Sequence, residues 1–186
     1  MDHFYGEIHG WFRASDLYRV MVAEAQNGSC FVEVGAWKGR STAFMAVEIR
    51  NARKMIRFHV VDWFEGSDEP EHRADPAVSQ GRLLDVFKAN MTPVLDMITL
   101  HVMPSVEAAR LFDDESLDFV FIDGSHDYAS VCADITAWLP KVRPGGVLAG
   151  DDYGVFEGVE RAVRELLPAH ANPAWPIWTW RRGEPP

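Results

Sequence analysis

The chain has 186 residues, a formal net charge of −10, 47% hydrophobic residues and 25% charged residues. This composition is ordinary for a globular protein, so we predict a single domain over residues 1–186, with a leading helical segment at 1–28 and a core at 29–186. The acidic balance argues against a nucleic-acid partner, and the lack of a signal sequence or of a run of about 18 apolar residues argues against secretion and a membrane partner.

The first half of the chain alternates between helical periodicities and short apolar runs. Apolar residues spaced three and four apart predict helices, and short apolar runs that end in glycine or an acid predict strands. In chain order, the predicted elements are a helix at 14–26, a strand at 30–34, a helix at 41–49, a strand at 58–62, a long polar loop at 63–77 and a helix at 79–90.

The second half repeats this alternation. Its predicted elements are a strand at 97–102, a helix at 106–112, a strand at 117–123, a helix at 128–139, a Pro-Gly-Gly turn at 144–146, a strand at 147–150, a helix at 155–167 and a strand at 177–181. Helices between strands imply parallel pairing with helices on both faces, which predicts a doubly wound, mostly parallel α/β fold. Because one clear strand follows the last helix, we expect a shortened C-terminal hairpin.

The first strand–turn–helix unit has the residues of a ligand-binding turn. Gly35 allows a sharp turn after the strand, Gly39 allows backbone to approach a ligand, and the helix that opens near Ser41 offers free N–H groups to a carboxylate or phosphate. The segment lacks the dinucleotide pattern and the P-loop ending, which argues against hydride transfer and NTP hydrolysis. Glu33 precedes this turn as a candidate ligand contact, or as a solvated acid at a strand end.

Other acids end the second, fourth and fifth strands. Asp62 ends the second strand, where an ionised carboxylate accepts hydrogen bonds from the hydroxyls of a ribose. Asp123, Asp151 and Asp152 end the fourth and fifth strands. If these two strands are neighbours, as the doubly wound order predicts, their ends lie about 4.8 Å apart and the three carboxylates converge. A divalent cation such as Mg²⁺ would remove their mutual repulsion. The alternative is that Asp151 and Asp152 are a solvated pair that caps a helix.

One histidine lies beside these acids. His126 follows Asp123 in a loop that opens onto the same end of the sheet, and its ordinary pKa suits acceptance of a hydroxyl proton near neutrality. We therefore predict that His126 is a general base. A lone loop histidine could equally cap the next helix.

Four of these segments resemble the class I S-adenosylmethionine-dependent methyltransferases. The resemblance runs from about residue 30 to 167 and is carried by the segments at 33–41, 60–62, 116–128 and 143–152. Within that superfamily the chain is most similar to small-molecule O-methyltransferases that include the macrolide-sugar enzymes and, more distantly, catechol O-methyltransferase. It departs at Trp37, where many members have a glycine.

The resemblance implies a role for each candidate residue. Glu33 and the turn at 35–41 would hold the amino-acid end of S-adenosylmethionine, Asp62 its ribose, and Ser105 would lie near the adenine. Trp63 would pack on the adenine, although a tryptophan there is more often core or lid packing. The cofactor-binding set is Glu33, Gly35, Gly39, Ser41, Asp62, Trp63, Ser105 and Asp123. Asp123, Asp151 and Asp152 would bind Mg²⁺ or another divalent cation that chelates a hydroxylated small-molecule acceptor.

The sequence leaves several readings open. A metal-independent methyltransferase of the same fold and a non-catalytic S-adenosylmethionine-binding subunit are alternatives, and a nicotinamide-dependent oxidoreductase is a distant one. The sequence also leaves open whether the chain forms a homo-oligomer. Cys30 and Cys132 lie outside any paired motif, which predicts free thiols and a cytoplasmic location.

Overall fold

The computed structural model describes residues 1–67, 69–167 and 169–183. Its strands are β1 (Cys30–Val34), β2 (Arg57–Asp62), β3 (Ile98–Val102), β4 (Leu117–Ile122), β5 (Val142–Gly150), β6 (Ala171–Ala174) and β7 (Ile177–Arg181). They form one sheet in the order β3-β2-β1-β4-β5-β7-β6. Strands β1 to β5 pair in parallel, and β7 runs antiparallel to β5 and β6. The predicted doubly wound α/β fold is confirmed, with its strand order reversing between β1 and β4.

Eight α-helices accompany the sheet in the described residues. They are α1 (Ser15–Glu24), α2 (Arg40–Ala52), α3 (Pro70–Ala74), α4 (Pro76–Ser79), α5 (Leu83–Met91), α6 (Ser105–Ala109), α7 (Tyr128–Trp138) and α8 (Glu157–Leu166). Short 3-10 turns lie at Tyr5–Glu7, Thr92–Met97 and Leu139–Lys141. No helix in the described ranges is both long and apolar enough to cross a bilayer.

Both faces of the sheet are buried, as a parallel sheet requires. On one face Phe31, Phe119 and Phe121 pack in the same apolar cluster as Tyr18 of α1 and Phe44 of α2. On the other face the alternate residues of β1 and β4 pack with α7 and α8, in a cluster that contains Val32, Val34, Val120, Ile122, Ile135, Trp138 and Val163. The alternation of side chains along each strand therefore builds two cores and leaves the strand ends free to carry polar groups.

Four predicted segments differ from the structure. The predicted loop at 63–77 contains α3 and the start of α4, and the helix predicted at 79–90 begins only at Leu83, as α5. Pro70 and Pro76 lie in the first turns of α3 and α4, where a backbone N–H has no partner within the helix and its loss costs little. Asp68 of that segment lies outside the described residues. The predicted turn at 144–146 belongs to β5, whose pairing with β4 shifts register between Val142 and Val147. The C-terminal hairpin is short as expected, but it has a second strand, β6, which we did not predict.

Candidate active site

A cleft opens at the carboxyl ends of β1 and β4, where ligands bind in open α/β sheets. It contains a cavity of about 310 Å³ and a smaller one of about 80 Å³. The residues that line both are Gly35, Trp37, His72, Asp123 and Gly124. The two cavities are thus adjoining parts of one site.

The turn after β1 forms the floor of this cleft. Gly35 has a φ of +85°, and a Cβ atom on it would lie 2.0 Å from the carbonyl oxygen of Asp123. Only glycine therefore fits where this turn meets the end of β4. Packing explains why glycine stands at position 39 without its predicted contact to a ligand, because a Cβ atom there would lie 2.6 Å from the Cε atom of Met91 on α5. Gly39 makes room for α5, and its contact with a ligand stays a prediction.

Trp37 is the bulky residue of the turn after β1. Its φ is +52°, a left-handed conformation that is uncommon for a bulky residue. The indole ring stacks on His72, with 4.0 Å between ring centroids and 18° between planes. His72 itself donates to or accepts from the Ser67 hydroxyl at 2.7 Å. The tryptophan therefore joins the first turn to the segment around α3 and forms a wall between the two cavities.

Asp62 fixes the same turn through its carboxylate. Its Oδ2 atom accepts hydrogen bonds from the backbone N–H groups of Ala36 at 2.8 Å and Trp37 at 2.9 Å, and Oδ1 accepts one from Phe64 at 2.7 Å. Burial raises the pKa of Asp62, and these three hydrogen bonds oppose the rise. A carboxylate has about four acceptor positions, so about one is left for a ligand hydroxyl in the larger cavity, which Asp62 lines. This position fits a ribose.

Glu33 lies deeper than the sequence suggested. Its side chain is buried, with Oε1 accepting from the Tyr18 hydroxyl at 2.9 Å and Oε2 accepting from the Thr42 hydroxyl. Burial raises the pKa of Glu33 to about 7, against the opposing hydrogen bonds of Thr42, Ser41 and Tyr18. The acid therefore ties α1 and α2 to β1. Its predicted contact with the cofactor's amino-acid end, and that of Ser41, stay predictions; Ser41 lines the smaller cavity.

The other end of the larger cavity is formed by residues after β2 and β3 and by α7. Trp63 is 50% exposed at its opening, and Ser105 begins α6 within the lining. The Ser105 hydroxyl accepts a hydrogen bond from the indole N–H of Trp138 at 2.8 Å. Asp134 of α7, which sequence analysis did not single out, is buried beside it. Both predicted adenine-side residues therefore border the same cavity.

The acid cluster differs in membership from the predicted set. Asp123, His126 and Asp152 each offer a ligand atom within 4.8 Å of the others. Asp151 is not part of this group; its Oδ1 atom accepts the backbone N–H of Asp152 at 2.6 Å, and its Oδ2 atom lies 3.6 Å from Arg13 Nε. Asp152 has a φ of +67°, so the chain turns sharply between the two acids. The turn directs only one of them at His126.

His126 is held between two carboxylates. Its Nδ1 atom lies 2.5 Å from Glu69 Oε1 and its Nε2 atom 2.9 Å from Asp152 Oδ2, while the ring stacks on Phe156 at 4.2 Å. Burial opposes charge on this ring, but the hydrogen bond to Asp152 and the charges of Asp152, Glu69 and Asp123 raise its pKa to about 9. The imidazole is therefore protonated at neutral pH in this arrangement, as an imidazolium between two acids.

Arg13 from the leading segment also reaches the cluster. Its Nη2 atom lies 2.9 Å from Asp152 Oδ1, and its Nε atom 3.6 Å from Asp151 Oδ2. Burial and the charges of Asp151 and Asp152 raise the pKa of Asp123 well above its ordinary value. The acids thus need positive charge nearby to be ionised together, and His126 and Arg13 supply part of it.

The donor set of the cluster fits a divalent cation. Two carboxylates and one imidazole suit cations that accept both oxygen and nitrogen, such as Mn²⁺ or Fe²⁺, whereas Mg²⁺ prefers oxygen alone. Without His126 as a ligand, Asp123 and Asp152 offer the few carboxylates that Mg²⁺ uses together with waters or substrate oxygens. A ring nitrogen of His126 that bound a cation could not also take a proton, so these two roles exclude each other at that atom.

Several partners in the site were missed by sequence analysis. Glu69, Arg13 and Tyr18 each contact a predicted site residue from another segment, and sequence analysis assigned none of these contacts. Asp134 had a weak signal, since it is an acid inside the apolar spacing of the helix at 128–139.

Comparison with known proteins gives a family and a set of similar folds. A model of the methyltransferase domain family matches residues 32–153. A search of curated protein sequences gave no significant match. Among solved structures, the O-methyltransferase NovP is 19% identical, with a TM-score of 0.70 over 91% of this chain and 79% of that one. CalS11, a TDP-rhamnose 3'-O-methyltransferase in calicheamicin biosynthesis, is 19% identical, with a TM-score of 0.62 over 92% of this chain and 78% of that one. An S-adenosylmethionine-dependent O-methyltransferase from Thermotoga maritima is 12% identical, with a TM-score of 0.62 over 96% and 68%.

Proposed function

The chain belongs to the methyltransferase domain family, and from that premise we propose that it is an S-adenosylmethionine-dependent O-methyltransferase that methylates a hydroxyl of a small molecule with the help of a divalent cation. The observation that carries this proposal is the continuity of the cleft. Asp62 lines its larger cavity, Asp152 lines its smaller one, and Asp123 lines both. A cofactor and an acceptor bound in these adjoining spaces would meet near Asp123.

The chain's own residues would bind and orient the cofactor in the larger cavity. Asp62 has about one free acceptor position for a ribose hydroxyl, and the turn at Gly35 leaves backbone rather than side chain at the cleft floor. Trp63 and Ser105 border the far end, where the nucleobase would lie. S-adenosylmethionine supplies the electrophilic methyl group when bound, so the protein's task is to position an oxygen against it and to exclude water.

His126 is the proposed general base, and Glu69 is its positioning residue. An imidazolium cannot accept a proton, so the base role needs a lower pKa than about 9. A divalent cation on Asp123 and Asp152 would supply positive charge that lowers it and would also favour the ionised acceptor hydroxyl. The Glu69 carboxylate at 2.5 Å would then hold the ring orientation and tautomer.

A metal-independent methyltransferase is the second candidate, and Arg13 is the observation that favours it. Its guanidinium already pairs with Asp152 at 2.9 Å and approaches Asp151 at 3.6 Å. The permanent positive charge of a guanidinium at this place can neutralise the acids and attract an ionised acceptor oxygen without a metal ion. Retention of turnover after exhaustive chelation would favour this candidate over the first.

Calorimetric titration tests the cofactor part of the proposal directly. The chain is expected to bind S-adenosylhomocysteine and not NAD, and Asp62→Asn is expected to weaken that binding about tenfold or more. Asp16→Asn, at an acid whose side chain is 90% exposed on α1, is the matched control and should bind as the parent does. Binding of NAD in preference to S-adenosylhomocysteine would contradict the proposal.

Turnover with and without Mg²⁺ or Mn²⁺ tests the acceptor part. With a panel of vicinal diols, Asp152→Asn is expected to abolish methyl transfer while leaving S-adenosylhomocysteine affinity within about threefold. Equal loss of both would count against a separate acceptor site.

Free Cys30 and Cys132 are compatible with the cytoplasmic location that we also propose.

A further inference from the structure

A buried carboxylate in the wall of the larger cavity has no part in the function proposed above. Asp134 is 7% exposed and lines that cavity from α7. A Cβ atom placed on Gly124 would lie 3.6 Å from Asp134 Oδ2, so this oxygen faces the loop after β4, which lines the same cavity. Burial of a carboxylate is costly unless hydrogen-bond donors satisfy it. Asp134 therefore needs donors from the protein or from a ligand.

A chain of hydrogen bonds fixes the polarity of Asp134. The indole N–H of Trp138 can only donate, and it donates to the Ser105 hydroxyl oxygen at 2.8 Å. Ser105 keeps its own proton to donate, and hydrogen bonding by Ser105 opposes the rise in the pKa of the Asp134 carboxyl. Trp138 is fully buried, and its indole N–H cannot accept a hydrogen bond. Rotation of the serine hydroxyl therefore cannot reverse the order of donor and acceptor. Asp134 is thus held as an acceptor at the end of an oriented chain.

The position of this acceptor suggests which ligand atom it meets. Trp63 and Ser105 line the cavity after β2 and β3, which lie on the opposite side of β1 from β4 and β5, where the acid cluster is. Asp62, at the end of β2, bonds to the turn that follows Gly35. If the ribose lies at Asp62, the nucleobase lies at the Ser105 end. Adenine carries an exocyclic 6-amino group that donates hydrogen bonds, whereas a 6-oxo purine carries an acceptor in its place.

We propose that Asp134 accepts a hydrogen bond from the 6-amino group of the cofactor's adenine and thereby selects adenine over 6-oxo purines. Ser105 is its positioning residue. The hydrogen bond from Trp138 orients the Ser105 hydroxyl, and this hydroxyl in turn orients the carboxylate. This inference rests on the proposed function, because it presumes an adenosyl ligand in the larger cavity. Burial raises the pKa of Asp134 to about 6, with the Ser105 hydrogen bond opposing that rise, so the acid is ionised at neutral pH and able to accept.

Calorimetric binding of two ligands tests the inference without any turnover measurement. The probes are S-adenosylhomocysteine and its 6-oxo analogue S-inosylhomocysteine, measured at pH 7.5 with the full chain. The parent protein is expected to bind the amino ligand at least about tenfold more tightly, because the oxo analogue faces the carboxylate with another acceptor. Asp134→Asn can donate to an oxo group, so the ratio is expected to fall to within about threefold.

Asp16→Asn is the control. It makes the same change at an exposed acid on α1 that is not among the residues lining the cavity, and the parent's ratio should persist. Ser105→Ala is a second variant, which frees the carboxylate and should lower the ratio severalfold even if Asp134→Asn fails to fold.

The outcomes separate the two proposals. If the parent binds S-adenosylhomocysteine but the ratio is unchanged in folded Asp134→Asn or in Ser105→Ala, the inference is overturned and the proposed function stands. If the parent binds neither ligand, the proposed function is overturned, and the inference with it.

Discussion

Replacing Glu33 with glutamine is expected to remove part of the pH dependence of folding. Glu33 is 1% exposed, and its carboxylate is enclosed by the hydroxyls of Tyr18, Thr42 and Ser41. Glutamine has nearly the same shape, stays neutral at every pH, and can exchange hydrogen bonds with hydroxyl groups, which both donate and accept. The variant therefore isolates the effect of the charge.

The sign and size of the effect follow from the pKa. Folding raises the pKa of Glu33 from 4.5 to about 7, so between these values the native state binds more protons than the unfolded state. Its contribution to stability is fully present below pH 4.5 and is lost as the pH rises through 7. At 1.36 kcal/mol per pKa unit the loss is about 3 kcal/mol, with no discount for exposure because the group is enclosed.

Urea unfolding at pH 5 and pH 8 is the assay. Relative to the parent, Glu33→Gln should gain about 2–3 kcal/mol in unfolding free energy on going from pH 5 to pH 8. Subtraction of the parent removes the contributions of other titrating groups. Glu107→Gln, at an exposed glutamate on α6, is the control and should show no such gain. The same pH dependence in Glu33→Gln and the parent would refute the reasoning.

Three further changes test other features of the structure. Gly35→Ala places a Cβ atom 2.0 Å from a carbonyl oxygen and should lower the free energy of unfolding by about 3 kcal/mol or more. Gly28→Ala is the control, because Gly28 has a similar φ but open space around it, and this change should cost about 1 kcal/mol. Equal melting temperatures of the two variants would contradict this expectation. Burial and a neighbouring histidine lower the pKa of His59 to about 4, so the native state loses stability as pH falls from 6.5 towards 4. His59→Gln should remove about 1–2 kcal/mol of that loss, allowing for the partial exposure of the ring, and an unchanged difference between urea midpoints at pH 7 and pH 4.5 would argue against it. Arg13→Gln removes the guanidinium from Asp152 and should tighten calorimetric Mn²⁺ binding about threefold; no change would place the cation elsewhere.

The parts of the fold that sequence predicted are those set by local pattern. Strands that end at Asp62 and before Asp123 are short apolar runs, and their order along the chain dictates the parallel sheet. The hairpin strand β6 was missed because its four residues, Ala171–Ala174, include a proline and no alternation of apolar and polar side chains. Pro70 and Pro76 suggested a loop, although each lies in the first turn of a helix.

The site was predictable in its position but not in its contacts. A parallel sheet places the acids at one edge, yet the direction of each carboxylate depends on backbone angles that no residue pattern specifies. Asp152 turns towards His126 because its own φ is +67°, while Asp151 bonds to the adjacent backbone. The partners Arg13 and Glu69 come from segments far away in sequence, so only the folded chain brings them to the cluster.

The close approach of Gly35 to the carbonyl of Asp123 marks a boundary within the protein. Residues 30–102 build the sheet on one side of it and residues 117–181 build the other, with β1 and β4 adjacent. A molecule in the cleft contacts both sides at once, so its binding energy opposes any local unfolding that separates them. Amide hydrogens in β2 and in β5, on opposite sides of the boundary, should therefore slow their exchange with solvent together when the cleft is filled.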